Sequence, residues 1–390
     1  MTGENNRSRI DLLLLGFSVL VGLMYLKSVW TLGDDGLSRT TQRLPYWDFS
    51  NLWAGGRLIL DGHMDWLFDP EKYRAWLRSV FSPALPDQEW SYPPTLFFIA
   101  VPLGTLPIFP AYLIWITGTL YCLHRALRLL RLPVLLHVMA LLAPAVWMNT
   151  AFGQNGALTA ALLLGGLALL PSRPILAGAL LGLLAIKPHL AILAPFAVLA
   201  SRNWHAFFAA AATSLGLTLL TGLVFGFAVW GEFLNVTVPL MSGIMEAPYP
   251  QSYHSHAVTA FIVGRWLGIG LSGSYAVQAV FTLMAALTCA VIWRPSSSQP
   301  HERRVALTAL LSIVATPYGY SYDMVPFSVA VVALGFARPD LNRLLLLPFW
   351  CLPFFVHLLN RHGFAVGVFF PVALALGALW LDRREIIGAR

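Results

Sequence analysis

Apolar side chains run along this chain in long blocks, and polar residues gather in short clusters between them. The blocks lack the period-two alternation of a transmembrane β-barrel. Many approach the ~20 residues that a helix needs to cross a bilayer core. Spans are predicted near 11–32, 93–123, 133–150, 155–171, 174–187, 188–201, 204–230, 272–294, 305–317, 323–337, 341–358 and 364–381, about twelve in all. The second block exceeds one crossing, and Pro102, Pro107 and Pro110 predict a break before its main passage. Segment 174–201 reads as a hairpin at Lys187-Pro188 or as one kinked helix, and the hairpin keeps later arginine clusters on one side. Residues 257–271, short and Gly-rich, predict a re-entrant or interfacial piece. No internal repeat is evident.

Composition narrows the class. Hydrophobic residues make up 57% and charged residues 11%, against roughly 25% charged in soluble domains. That excludes a soluble enzyme and a disordered chain, and predicts an all-α polytopic membrane protein forming one domain over 1–390. The net charge of +7 sits mostly in arginine clusters between apolar runs. Such clusters mark cytoplasmic loops rather than a nucleic-acid partner. Arg7 and Arg9 precede the first span, so the N-terminus is expected in the cytoplasm of a cell with this protein in its (inner) membrane. The run Leu12–Leu32 exceeds a ~7–15-residue signal core and reads as a retained span. Arg173, Arg202, Arg294, Arg303, Arg304, Arg338, Arg343, Arg383 and Arg384 then fall on the cytoplasmic side, as does the C-terminus. Residues 33–92 form an external loop. Cys122, Cys289 and Cys351 lie in apolar segments and suggest no disulfide framework.

With this parity the polar motifs reach one external face: Asp48, Gly153-Gln154-Asn155, Lys187-Pro188-His189, His254-Ser255-His256, Thr316-Pro317-Tyr318 with Tyr322-Asp323, and Asn360-Arg361-His362. Polar groups near membrane depth tend to line interior cavities. Asp48 reads either as a helix N-cap or as a general base in a partly apolar site. Tyr46, Trp47, Phe49 and Trp53 suit an interfacial belt or a sugar-stacking wall. The stretch from Asp61 to Pro70 reads as an interfacial helix and turn. Tyr92-Pro93-Pro94-Thr95 opens the next segment with Pro in a first helical turn. Gln154 and Asn155 bind substrate hydroxyls or close a tight turn. Lys187, one of three lysines, lies amid apolar residues; it either snorkels or, with His189, meets a phosphate. Arg265 is a second cation for that role. His254 and His256, without a carboxylate or thiolate partner, are weak evidence for zinc, so no metal is expected. No phosphate-cradling glycine loop appears, which leaves a soluble nucleotide-sugar donor unsupported and no cofactor expected.

Asp48-Phe49, Trp53-Ala54-Gly55, Leu60-x-Gly62, Phe68-Asp69-Pro70, Tyr92-Pro93-Pro94, Pro102-Leu103 and Leu106-Pro107 occur in that order. Together with Gly153-Gln154-Asn155, Lys187-Pro188 and Thr316-Pro317-Tyr318 with Tyr322-Asp323, they resemble glycosyltransferase family 87, the polyprenol-phosphate-mannose-dependent mannosyltransferases, over roughly 45–325. The segment Pro250-Gln251-Ser252 departs from the family's Asn-Gln-Ser-type stretch. The resemblance implies a GT-C type fold with its site at the external membrane face. It implies a polyprenyl-phosphate-linked hexose donor, with mannose as the family's usual sugar, a glycolipid or glycan acceptor, and inversion, with Asp48 as the base.

Under this reading Lys187, His189 and Arg265 bind the donor phosphate. Trp53, Arg57, Tyr92, Gln154, Asn155, His254, His256, Tyr318, Tyr322 and Asp323 bind substrate, and membrane lipids surround the chain. A multi-pass transporter or flippase of lipid-linked sugars is the alternative. It predicts charged groups near the midplane and on both faces, whereas the motifs cluster at one end.

Overall fold

The computed structural model describes residues 2–388, with side chains over 7–381; Arg383 and Arg384 therefore lie outside the described side chains. The structure is helical, and its described residues contain only two isolated β-bridges, Leu32–Ser38 and Ala257–Tyr320. Helix α1 covers Thr2–Val29, α2 Trp47–Leu60 and α3 Pro70–Val80. Then follow α4 (Phe97–Gly104), α5 (Ile108–Arg128), α6 (Val134–Leu141), α7 (Pro144–Phe152) and α8 (Gly156–Leu169). Next come α9 (Pro174–Gly182), α10 (Ala194–Ala200), α11 (Trp204–Phe225), α12 (Ala228–Glu232), α13 (Val238–Glu246) and α14 (Ala260–Trp266). The chain closes with α15 (Gly270–Ile292), α16 (His301–Ala315), α17 (Val325–Ala330), α18 (Arg343–Arg361) and α19 (Phe369–Gly388).

Five stretches are long and apolar enough to cross a membrane: Arg7–Val29, Val134–Phe152, Trp204–Phe225, Gly270–Ile292 and Arg343–Arg361. Five shorter apolar ones accompany them, Pro94–Gly104, Gly156–Leu169, Pro174–Ile186, Val325–Phe336 and Phe369–Leu381. Leu215, Leu219 and Leu223, one helical turn apart on α11, are all more than half exposed. An unpartnered apolar stripe of this kind suits lipid rather than water. The protein is a membrane protein on these helices.

Contacts sort the molecule into two ends. At one, Arg343 binds Asp11 at 2.8 Å and the carbonyls of Phe336 and Arg338, also at 2.8 Å, tying α1 to α18. Asn203 donates to the Leu170 carbonyl at 2.9 Å and His301 contacts that of Ala168 at 3.0 Å. At the opposite end Lys187 meets Asn155 and Asp323, and Asn360 ties α18 to the carbonyls of Ser255 and Ala257.

The segment 174–201 reverses at Lys187. Gly178 sits on Ala206 and Gly182 on Ala210, so α9 and α11 run parallel and the chain between them must return. The expected break near Pro107 lies at 105–107, between α4 and α5. Residues 257–271 contain α14, only seven residues long, whose first five are buried against protein; it is packed inside rather than lying on a surface.

Within 33–92, α2 is held close to α4. A Cβ at Gly56 would stand 1.9 Å from the Ala100 carbonyl oxygen, so the two backbones touch where only glycine fits. Asp69 caps α3 by accepting from Lys72 N at 3.2 Å. The following loop is clamped to the first turn of α2. Gln88 donates to the Trp47 carbonyl at 2.6 Å, and Asn51 to that of Glu89 at 2.8 Å.

Candidate active site

A cavity of about 1030 Å³ opens at the end of the molecule that carries Lys187. The start of α2, the loop 87–93, the α7–α8 turn, the Lys187 break, α13, the 252–256 turn, the tyrosines after α16 and the end of α18 line it. Its lining is mixed: Phe233, Val238, Met241, Ile244 and Met245 contribute apolar side chains, and Thr40, Thr41, Asp87, Gln88, Glu89 and Ser91 polar ones.

Asp48 is the second residue of α2; the N-cap is Tyr46 and no side chain caps this helix. The N-cap reading of Asp48 is thereby replaced. Its carboxylate lines the cavity and is hydrogen-bonded by the Gln154 side chain. Gln154 can serve it because its own carbonyl oxygen accepts from Asn155 N at 3.1 Å, leaving the amide NH₂ to donate. The turn that presents Gln154 depends on Gly153, whose φ is +70° and whose added Cβ would stand 2.4 Å from Phe49 Cβ. Tyr92 donates to the Asp48 carbonyl at 3.3 Å. Burial pushes the Asp48 carboxyl up to about 7, against the opposing pull of Arg43, Lys187 and the Gln154 hydrogen bond. Such a carboxyl is poised to exchange a proton near neutrality.

Lys187 stands between two 3₁₀ turns, Leu183–Ile186 and Pro188–Leu190. Its Nζ donates to Asp323 Oδ1 at 2.5 Å and Asn155 Oδ1 at 3.0 Å, and lies 5.7 Å from the Tyr322 ring centre. The second Asp323 oxygen accepts from Tyr320 N at 3.3 Å. The lysine lines the cavity with its charge already countered, so it is part of a buried network rather than a free cation. His189 follows it with Nε2 buried and unpartnered. Its ring lies edge-on to that of Tyr318, with ring centres 5.1 Å apart.

Tyr318, Tyr320 and Tyr322 all line the cavity; Tyr320 is extended and Tyr322 lies in the 3₁₀ turn Ser321–Asp323 that follows it. Tyr318 and Tyr253 share a hydrogen bond between their hydroxyls. His256 contacts Ser321 Oγ at 3.1 Å and stacks on His357 with ring centres 5.5 Å apart. Burial chiefly, then His357, Arg43 and Arg361, pushes His256 down to about 3, so this ring is neutral.

Four expected site residues lie elsewhere. Trp53 Nε1 donates to the Leu106 carbonyl at 2.9 Å, and its ring packs on Phe81. Arg57 is exposed and pairs with Asp61 at 3.1 Å. At ~100° per helical residue, positions 53 and 57 stand about 140° and 180° around α2 from Asp48, whereas Asn51, nearer in angle, does line the cavity. His254 is buried in its own turn, taking Gln251 N at 3.1 Å and contacting the Met245 carbonyl at 3.0 Å. Arg265 caps the end of α13 by donating to the carbonyls of Glu246 and Ala247, at 3.2 and 3.0 Å. Basic side chains commonly satisfy a helix's last carbonyls in this way. Tyr92, Gln154, His189, His256, Tyr318 and Tyr322 do line the cavity, and Asn155 and Asp323 hold Lys187 from behind.

Sequence reading gave Arg43 no role, and it placed Arg361 at the external face within Asn360-Arg361-His362 without naming it as a site cation. Both line the cavity, and among the described residues no carboxylate forms an ion pair with either. The Arg43 guanidinium lies 5.0 Å from the Trp47 ring centre; an arginine beside an aromatic cluster was the available signal. Among the described residues no group of three His, Cys, Asp or Glu side chains is placed to hold a metal ion.

The family model described as Glycosyltransferase family 87 matches residues 90–317, more than half of the chain. The match begins at residue 90, beyond Asp48 and close to the end of the loop 33–92. No curated protein and no solved structure matches.

Proposed function

Since the chain belongs to glycosyltransferase family 87, we propose that it moves a hexose, mannose first among them, from a polyprenyl-phosphate-linked donor to a glycolipid or glycan acceptor, with inversion. The single observation that carries this reading is Asp48. A carboxyl raised to about 7 borders a cavity whose lining offers apolar side chains to a lipid and polar ones to a sugar.

Asp48 accepts the proton of the acceptor hydroxyl as that oxygen bonds to the anomeric carbon. The bond from this carbon to the phosphate oxygen breaks from the opposite face, and its electron pair leaves with the polyprenyl phosphate. Positioned cations stabilise that developing charge best where water is scarce. Arg43 and Arg361 supply unpaired positive charge, while Lys187, held by Asp323 and Asn155, adds a fixed ammonium. His189 and neutral His256, with Tyr92, Gln154, Tyr318 and Tyr322, offer hydrogen bonds and ring faces to sugar hydroxyls.

We read the helical passages between the two ends as about twelve membrane crossings in a GT-C arrangement spanning the whole chain. The arginine end faces the cytoplasm together with both termini, by the bias of basic residues to cytoplasmic loops. Asp48 and the loop 33–92 then face the outside of a cell membrane. The gathering of site groups at one end favours transfer over transport.

The test offers the reconstituted protein a panel of polyprenyl-phosphate sugars with glycolipid acceptors and identifies products by mass spectrometry. Transfer of one hexose with release of polyprenyl phosphate is expected. Transfer from nucleotide sugars alone, or movement of lipid-linked sugar across the bilayer without transfer, contradicts the reading.

A further inference from the structure

Tyr253 and Tyr320 line the main cavity beside Tyr318 and have no part in the transfer step above. Two segments 65 positions apart bring them together. The turn 252–256 carries Tyr253, and the segment after α16 carries the other two. An antiparallel bridge pairs Ala257 with Tyr320, and Val258 N donates to the Gly319 carbonyl at 3.0 Å. The rings of Tyr253 and Tyr318 each pack on Tyr320, with centres 4.9 and 5.0 Å away. Their hydroxyls meet as well: Tyr253 and Tyr318 share a hydrogen bond, and Tyr320 is a hydrogen-bonding neighbour of both.

Such a cluster has a hydrogen-bonding polarity. Phenols hold half as many protons as lone pairs, and every bond among them uses one of each. Protons therefore run out first. Among the described residues no backbone, amide or charged group bonds to these three hydroxyls, so what they turn to the cavity is chiefly lone pairs. A ligand group held there must donate. A sugar hydroxyl can, whereas the oxygens of an ionised phosphate diester only accept. The charged neighbours agree: those acting on Tyr318 are carboxylates, Asp323 and Asp48, while Arg43 and Arg361 act on His256. We propose that the hydroxyls of Tyr253, Tyr318 and Tyr320 form a specificity-determining subsite that accepts a hydrogen bond from one hydroxyl of a hexose. Phosphate and hexose are thereby sorted to different parts of one cavity, the first to the arginines and the second to the phenols. The chemistry is the same whether the hexose belongs to the donor or to the acceptor. The presence of a sugar rests on the hexosyl-transfer reading; the polarity of the subsite does not.

The test reads which way that hydrogen bond runs. A deoxy sugar loses donor and acceptor together at one carbon, whereas a deoxyfluoro sugar keeps a weak acceptor and loses only the donor. Dissociation constants for citronellyl-phosphate mannose and for octyl mannoside are measured by saturation-transfer NMR on the protein in nanodiscs. Each is compared with its monodeoxy and deoxyfluoro analogues at every hydroxyl in turn. At one hydroxyl both analogues are expected to bind at least ~5-fold more weakly than the parent, the size of one neutral hydrogen bond, and within ~2-fold of each other. The series that shows this, donor or acceptor, names the hexose that is read. Replacing all three phenols (Tyr253→Phe, Tyr318→Phe and Tyr320→Phe) keeps the rings and should shrink the loss below ~2-fold. Should that variant fail to fold, the single variants are compared, and at least one must halve the loss. A deoxyfluoro analogue that binds like its parent means that the site donates, which overturns the proposal. No loss in either series, or a loss that survives removal of the phenols, overturns it too. Because binding is read without turnover, this pattern in a protein that transfers no sugar contradicts the transferase reading alone, and transfer without the pattern contradicts the subsite alone.

Discussion

Lys187 Nζ lies 2.5 Å from Asp323 Oδ1 across 136 positions of chain, and both side chains are buried. The pair joins the α9–α10 reversal to the turn after α16 and fixes one wall of the cavity. Asp323→Asn leaves the ammonium buried and uncompensated, which typically costs about 3–5 kcal/mol. A large fall in the thermal midpoint in detergent is expected, with much of it recovered when Asp323→Leu is combined with Lys187→Met. Little change in the single variant would mean that the network does not hold the wall.

The Asp48 carboxyl sets a pH dependence whose sign follows from its direction. Burial raises it to about 7 from an ordinary ~3.9, and only the ionised form is a base. Transfer is expected to rise as pH climbs through about 7 and to level above it. Stability moves the other way. The folded state holds this proton more tightly than the unfolded one, so its contribution is complete below ~4 and is lost as pH rises through about 7. Unfolding midpoints across this range should show that decline in the native protein and lack it in Asp48→Asn.

Gly56 is the point where α2 touches α4, and an added Cβ would stand 1.9 Å from the Ala100 carbonyl oxygen. Backbone cannot swing aside as a side chain can. Gly56→Ala is expected to cost about 1–3 kcal/mol, in the range of overpacked cores. It should lower activity as well, because α2 carries Asp48. Differential scanning fluorimetry and a transfer assay on the same preparation check both.

Arg43 and Arg361 are the cavity cations that no carboxylate neutralises among the described residues. Arg361→Gln is expected to raise the KM for the phosphosugar about ten-fold, since charge-assisted hydrogen bonds contribute ~1.5–3 kcal/mol. The effect should shrink with added salt. An unchanged KM for both Arg361→Gln and Arg43→Gln would assign the phosphate to Lys187 alone.

Much of the architecture was legible because a bilayer forces it. Apolar blocks of spanning length and arginines at alternate ends put Asp48, Gln154 and Lys187 at one end before any contact was known. The reversal at Lys187 followed from keeping the later arginines together. Pairing was not legible: nothing local to Lys187 shows that Asp323 neutralises it, because the contact is made by tertiary packing across seven further helices, α10 to α16. Trp53 and Arg57 failed for a simpler reason, since helical angle counts more than nearness in sequence. His254 and Arg265 look like site groups by residue type, yet His254 Nε2 and Arg265 Nη2 are taken by backbone carbonyls at the end of α13.

Asp48 as the proton acceptor is tested most directly by single-turnover transfer from a polyprenyl-phosphate hexose, comparing native protein with Asp48→Asn of equal thermal midpoint. A rate lower by ~10²–10⁴, the usual loss on removing a general base, is the expected result. Native-like transfer by Asp48→Asn contradicts it.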